Sequence, residues 1–333
     1  MSRSDRVPHT MAGYRQLNTG TLLPCVGYGT GTSFFNRVED VASCMGQAYS
    51  AGYRLFDTAM VYGTEEGVGR GVEDLLNSGV KRKDIFIPTK ISPWKCNQIE
   101  EYVSESLAKL KVDKIDLVLI HSACLPLDRS KMSEKLRKRI TEKDLNDFPS
   151  TAEGLSDMRL HMWKTLENLV KEGKIQDIGV SNWTSQHINQ LMEASQVTLT
   201  PAINQIEFNP YLVDEDILET CAKYKIIVQA YAPLGNGKNM ANSHLAGPQD
   251  DLKYLLDDPT ILSKASKYQA TPAQVCLRWA LQRGVAVVLK TENKSRMEEN
   301  LDLQFIIAEE DMGEINALKK VNQRLFGNIY DID

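Results

Sequence analysis

Eight short apolar runs recur along the chain, each ending near a polar residue and most followed by a helical pattern. They are Cys25–Thr30, Arg54–Thr58, Ile85–Lys90, Leu117–His121, Ile175–Ser181, Ala202–Phe208, Ile226–Tyr231 and Val285–Lys290. The runs are continuous rather than alternating, as expected of parallel strands buried on both faces. Between them the period changes. Ile99, Val103, Leu107 and Leu110 share one helical face, as do Met162, Leu166, Leu169 and Val170. Thr271-Pro272 places a capping hydroxyl before a proline at the first helical position. Gly52, Gly173 and Gly284 stop three helices just ahead of the next strand. Before the first run, Tyr14–Leu17 and Leu22–Pro24 flank Asn18-Thr19-Gly20, a hairpin signal.

This alternation has no internal linker, and it predicts one α/β domain over residues 14–333: a (β/α)8 TIM barrel with an N-terminal β-hairpin and long βα loops at its C-terminal face. Residues 1–13 read as a flexible tail. The rival is a doubly wound sheet, which wants Gly-x-Gly-x-x-Gly directly after a strand. Neither Gly27-Tyr28-Gly29-Thr30-Gly31 nor Gly67-Val68-Gly69-Arg70-Gly71 has that spacing. One stretch breaks the rhythm. Residues 122–156 far exceed the usual βα loop of about two to six residues. Met132, Leu136 and Ile140 repeat there every four positions, as in a short amphipathic helix. The insertion is either a solvated excursion or a lid over the active face. The irregular stretch 235–258 carries the same two readings.

Composition narrows the partners. A net charge of −5 and a pI near 5.7 argue against nucleic acid, which wants a basic face. No apolar stretch approaches the roughly 18 residues of a membrane span. The six cysteines are scattered, with no paired framework, which fits a reduced, cytoplasmic protein. The five histidines are isolated, so no metal site is expected. Nothing marks an oligomer segment, and the expectation is a monomer acting on a small molecule.

The chemistry gathers at strand ends. Asp57, Lys90 and His121 stand at or next to the ends of three of the first four runs, and Tyr62 follows Asp57 by five residues. Taken singly, each has an ordinary explanation: a helix cap, a solvated cation, a packed ring. Together they form a proton-transfer site on the active face of a barrel. Lys90 needs a counter-ion, which Asp57 on the adjacent strand can supply. A lysine beside Tyr62 is expected to lower the phenol pKa, and His121 can donate to a substrate carbonyl.

These residues carry a resemblance. Gly52-Tyr53-Arg54-Leu55-Phe56-Asp57-Thr58-Ala59 through Tyr62-Gly63-Thr64-Glu65 resembles the first signature of the aldo-keto reductase superfamily. The resemblance runs from about Tyr14 to about Lys320. It implies Tyr62 as general acid, Asp57 and Lys90 as its tuners, and His121 as the group that orients the carbonyl. It also implies NADP(H) as cofactor. Ser181, Asn182 and Gln205 would hold the nicotinamide carboxamide and Tyr231 would stack on the ring, with Thr30 and Leu234 among the contacts. Lys290, Thr291, Arg296, Glu299 and Asn300 would grip the adenosine end, Lys290 and Arg296 facing the 2′-phosphate. Without the resemblance, Ser181-Asn182 would read as a turn and Tyr231 as a core aromatic.

The chain also departs from that pattern. Tryptophans that line the pocket of many aldose-reductase-like members are replaced here by Gly31 and Ser122, and Trp94 is slightly displaced from a third such position. Leu289 stands where many relatives carry proline. Phe34, Phe35 and Tyr211 are further candidate walls. The expectation is a wider or more polar pocket, roofed by the insertion. The leading function is NADPH-dependent reduction of aldehydes and ketones. A Schiff-base aldolase using Lys90 or Lys290 and an NADP-binding regulatory subunit are the alternatives. The substrate itself (sugar, methylglyoxal, lipid aldehyde, prostaglandin-like or steroid ketone) is left open.

Overall fold

The computed structural model describes residues 13–124, 140, 148–235 and 253–326. All eight expected strands form, and they pair in parallel. In chain order they are β3 (Val26–Gly29), β4 (Phe56–Asp57), β5 (Pro88–Ile91), β6 (Ile115–Ile120), β7 (Ile175–Ser181), β8 (Ile203–Glu207), β9 (Ile227–Tyr231) and β10 (Ala286–Leu289). The hydrogen-bonded order runs β4-β3-β10-β9-β8-β7-β6-β5. The ring closes between β4 and β5 through the Leu55–Phe86 bridge, with Phe56 N–H donating to Phe86 O at 2.9 Å and Thr58 N–H to Pro88 O at 3.1 Å. The expected hairpin is β1 (Tyr14–Gln16) paired antiparallel with β2 (Leu22–Pro24).

Two cores explain why the runs are apolar throughout. The inner one gathers Leu55, Phe86, Leu117, Leu119, Ala202, Ile203, Ala286 and Val288. Leu17 and Leu23 of the hairpin join it, so the hairpin caps the N-terminal mouth. The outer core lies between strands and helices and is much larger. The helix Ile99–Leu110 buries Ile99, Val103 and Leu110, and the helix Ala152–Lys171 buries Met162, Leu166 and Leu169. Thr271 accepts from Gln274 N–H in a capping box on the helix Pro272–Gln282. Gly52, with φ of 120°, ends the helix Val38–Ala51 in a conformation that side chains rarely adopt.

The insertion is shorter than the sequence suggests. Thr151 accepts from Gly154 N–H at 3.1 Å and starts the helix at Ala152, so the irregular stretch stops before 156. The expected amphipathic turn over Met132 and Leu136 lies outside the described residues, as do residues 1–12 of the tail. Ile140 is described, and it packs with Trp94, Val61 and Phe148. That cluster adjoins Tyr62, so the insertion reaches the active face.

Candidate active site

The C-terminal ends of the strands bring the four sequence-predicted catalytic residues together. Asp57 is the last residue of β4, Lys90 is next to last in β5, and His121 directly follows β6. Tyr62 ends a 3-10 turn, Met60–Tyr62, just beyond β4. Lys90 is fully buried. Its ammonium donates to both Asp57 oxygens, at 2.6 and 2.7 Å, and to Thr58 O at 3.0 Å. The ammonium lies 5.0 Å from the centre of the Tyr62 ring. The His121 ring meets the Tyr62 ring edge-on, centroids 5.6 Å apart.

The electrostatics differ from the expectation in one respect. The Tyr62 phenol is not pushed down by Lys90. Burial and then the Asp57 carboxylate hold its pKa well above the ordinary value. Burial is the larger cause; in addition the Lys90 charge is spent on Asp57, and burial draws the lysine pKa down against that pairing. Tyr62 therefore stays a phenol at neutral pH, the form a proton donor needs. Burial, with the Lys90 charge nearby, pulls His121 down to about 3, so it stands as neutral imidazole.

Asp57 has a second partner that sequence reasoning missed. Gln205 Nε2 reaches across the barrel to Asp57 Oδ1 at 3.0 Å and to Gln229 Oε1 at 2.8 Å. Lys90, Asp57, Gln205 and Gln229 thus form a polar layer linking β5, β4, β8 and β9. The one available signal was Gln229 itself, a lone amide inside the apolar run Ile227–Tyr231.

Three buried hydroxyls frame the Tyr62 turn. Thr58 and Thr64 Oγ1 stand 2.9 Å apart across its two ends, and Thr64 meets Thr30 Oγ1 at 3.0 Å. Thr30 donates onward to Asp57 O at 2.9 Å. Thr30, expected among the cofactor contacts, spends its hydroxyl inside this frame.

The remaining predicted cofactor residues fall in two groups. Ser181 ends β7 and donates to Gln205 O at 2.8 Å. Asn182 follows with φ of 58°. It donates to His121 O at 2.9 Å and accepts from the Tyr231 hydroxyl at 2.8 Å. Leu234 packs half-buried against the outer core. The second group lies past β10. Lys290 donates to Ser33 Oγ and pairs with Glu292 at 3.0 Å. Glu292 also pairs with Arg37 at 3.1 Å. Burial opposes ionisation of Glu292, but the Lys290 and Arg37 hydrogen bonds prevail and hold it down to about 2. Thr291 O accepts from the Tyr28 hydroxyl at 2.7 Å. Arg296 is exposed, Glu299 accepts from Thr271 Oγ1 at 3.0 Å, and Asn300 is buried.

This donor set fits a nicotinamide dinucleotide. Amide and hydroxyl groups beside an aromatic ring suit a carboxamide-bearing heterocycle, and buried Gln229 Nε2 makes no hydrogen bond. Lys290 and Arg296 at the far end suit phosphate. Among the described residues, no group of three or more His, Cys, Asp or Glu is placed to hold a metal.

On the substrate side, Gly31 lies directly beside the Tyr62 ring. A Cβ on Gly31 would lie 3.2 Å from Tyr62 Cε2, so any side chain there would press on the phenol ring. Phe35 covers another edge, its ring 5.3 Å from that of Tyr62. Trp94 is buried against Val61 and Ile140. Ser122 donates to Cys124 O at 2.7 Å. Phe34 and Tyr211, two expected walls, lie in the core instead. Phe34 is wholly buried near Tyr28, and the Tyr211 hydroxyl donates to Asp258 at 2.8 Å.

The chain is similar to known proteins. The profile described as aldo/keto reductase family matches residues 25–320. The chain is 33% identical to an aldehyde reductase of Saccharomyces cerevisiae, over 92% of this chain and 91% of that one. It is 35% identical to an NADPH-dependent D-xylose reductase of Meyerozyma guilliermondii, over 95% and 97%. A Bombyx mori aldo-keto reductase solved in complex with NADP superposes with a TM-score of 0.76 at 32% identity, over 93% and 94%. With the barrel, the strand-end quartet and these likenesses together, the chain belongs to the aldo/keto reductase family.

Proposed function

We propose that Tyr62 is the general acid of an NADP(H)-dependent reduction of aldehydes and ketones to alcohols. The observation that carries it is the strand-end quartet, with a protonated phenol beside a neutral imidazole and a neutralised Lys90–Asp57 pair. Bound NADPH supplies the hydride to the carbonyl carbon. Tyr62 gives its proton to the carbonyl oxygen, and the emerging negative charge on that oxygen makes the transfer favourable even from a high-pKa phenol. Neutral His121 has an N–H to orient the carbonyl. Lys90 and Asp57 restrain the site from below. Ser181, Asn182, Gln205 and Tyr231 would hold the nicotinamide end, and Lys290, Thr291, Arg296, Glu299 and Asn300 the adenosine end.

Residues 14–333 act as one catalytic domain, with 1–13 as a tail and the insertion as a cover over the pocket. Ile140, packed on Trp94 and Val61 beside Tyr62, supports the cover. Gly31, which puts no side chain against Tyr62, supports a pocket wider than a tryptophan-lined one. Among the described residues no helix is long and apolar enough to cross a membrane. None of the six cysteines forms a disulfide. A monomeric, cytoplasmic enzyme fits these features.

The aldolase reading is disfavoured because all three Lys90 donors are engaged and its amine is wholly buried, and because Lys290 donates to Ser33 and Glu292. A panel of carbonyl compounds with NADPH or NADH as reductant tests the proposal. Oxidation of NADPH that depends on the carbonyl is expected, with NADH much poorer. No turnover of any carbonyl, with NADPH bound, would instead support the regulatory-subunit reading.

A further inference from the structure

The last described residues lie across the C-terminal mouth of the barrel. Residues 322–326 form no helix or strand, yet they are bonded to three other parts of that face. Gln323 N–H donates to Tyr211 O at 3.2 Å, in the loop after β8. The Gln323 amide pairs both ways with the Lys253 backbone, at 2.9 Å each. Glu207, the last residue of β8, accepts Leu325 N–H at 2.7 Å on one oxygen and Phe326 N–H at 3.1 Å on the other. The Phe326 ring then meets the Tyr231 ring edge-on, centroids 5.3 Å apart. Tyr231 in turn donates to Asn182.

Burying a carboxylate is costly, and Glu207 is only 3% exposed. Burial raises its pKa, while the two backbone N–H groups and the charge of Arg324 oppose that rise. Both oxygens are committed to this terminal strap. The arrangement also gives the buried Leu325 N–H an acceptor that it would otherwise lack. So a buried carboxyl group at the active face is committed to holding a strap, and the strap ends on a cofactor-side aromatic.

We propose that Glu207 is a positioning residue: it holds the 322–326 strap so that Phe326 braces Tyr231 and, through it, Asn182. This rests on the reading of Tyr231 and Asn182 as nicotinamide contacts. It adds that the affinity of that end depends on a chain segment that need not touch the cofactor.

The test is a titration of the full chain with NADPH, followed by quenching of tryptophan fluorescence. It compares wild type with Phe326→Ala, Glu207→Ala and the double variant. Phe326→Ala is expected to weaken NADPH about three- to tenfold, the value of one aromatic pair. Glu207→Ala is expected to do the same, and the double variant no worse than the weaker-binding single, because both act through one strap. If Glu207→Ala does not fold, Phe326→Ala, at a half-buried position, still decides. Phe326→Ala binding within twofold of wild type, or losses that add in the double variant, would overturn the brace while leaving the cofactor assignment standing. Failure of wild type to bind NADPH would overturn both.

Discussion

Lys90 and Lys290 both stand at the C-terminal ends of barrel strands, yet their charges are held in opposite ways. Lys90 is sealed in the barrel, bonded to both oxygens of Asp57 and to Thr58 O, and Asp57 is itself bonded by Gln205. Lys290 is partly exposed and shares Glu292 with Arg37 across two loops. The first arrangement has no room to change, because every donor has a buried acceptor. The second is an exchangeable clasp, in which a phosphate could replace the carboxylate at little cost. The comparison teaches that the reacting end of the site is fixed by burial, while the discriminating end is fixed by competition between anions.

The two ends should therefore break differently. The largest effect is expected at the sealed end. Lys90→Met strands the Asp57 carboxylate in the barrel, and stability should fall by about 3–5 kcal/mol. Denaturant unfolding measures this. Asp57→Asn/Lys90→Met should recover much of the stability but none of the turnover. A single variant as stable as wild type would show that the pair is not sealed.

His121, half-buried beside the sealed pair, has a pH signature of its own. The unfolded imidazole takes up a proton near pH ~6.5, while the folded one resists until about 3. Stability should therefore fall as pH drops from about 6.5 toward 3 and show no His121 contribution above that window. Melting curves of wild type and His121→Gln, taken from pH 7 to 4, should converge at low pH. Parallel curves would contradict the buried neutral imidazole.

Effects at the clasp should be smaller and salt-dependent. Arg296→Ala should weaken NADPH by about tenfold and NADH hardly at all, since a charge-assisted contact to the 2′-phosphate is lost. Equal losses for both would remove Arg296 from the phosphate site. Glu292→Gln is the smallest expected change. Freed of their carboxylate, Lys290 and Arg37 should bind NADPH about two- to fivefold more tightly at low salt, as exposed pairs are worth little. The gain should vanish at high salt. A loss of affinity would mean that Glu292 orders the loop rather than competes.

The sealed end was also the more legible in sequence, though only in part. Apolar runs identify strands because both faces of a barrel strand are buried, and a polar residue closing such a run must face a special environment. That logic located Asp57, Lys90 and His121, and the signature around Tyr62 supplied the fourth residue. Periodicity says which face a residue occupies, but not what it meets across the lumen. Apart from the lone amide Gln229 in its apolar run, nothing in the chain announces that Gln205 would reach Asp57, or that Thr30, Thr58 and Thr64 would share hydroxyl bonds around the Tyr62 turn. The pKa direction of Tyr62 failed because burial of the phenol, which the run pattern does not state, outweighs a lysine already paired with Asp57. Phe34 and Tyr211 read as pocket walls because loop aromatics near an active face look alike until their packing is known. Glu207 and Phe326 are far apart in sequence and meet only because the strap crosses the barrel mouth.

The central claim is that the phenol of Tyr62 provides the proton while other groups hold the cofactor. Tyr62→Phe removes one oxygen atom and keeps the ring against Phe35 and His121. NADPH-dependent turnover of a reducible aldehyde and NADPH affinity should be measured on the same preparation. Turnover should fall by about a hundred- to ten-thousandfold or more, with NADPH binding within about twofold of wild type. Turnover that survives the substitution, or a loss explained entirely by weaker NADPH binding, would contradict the account.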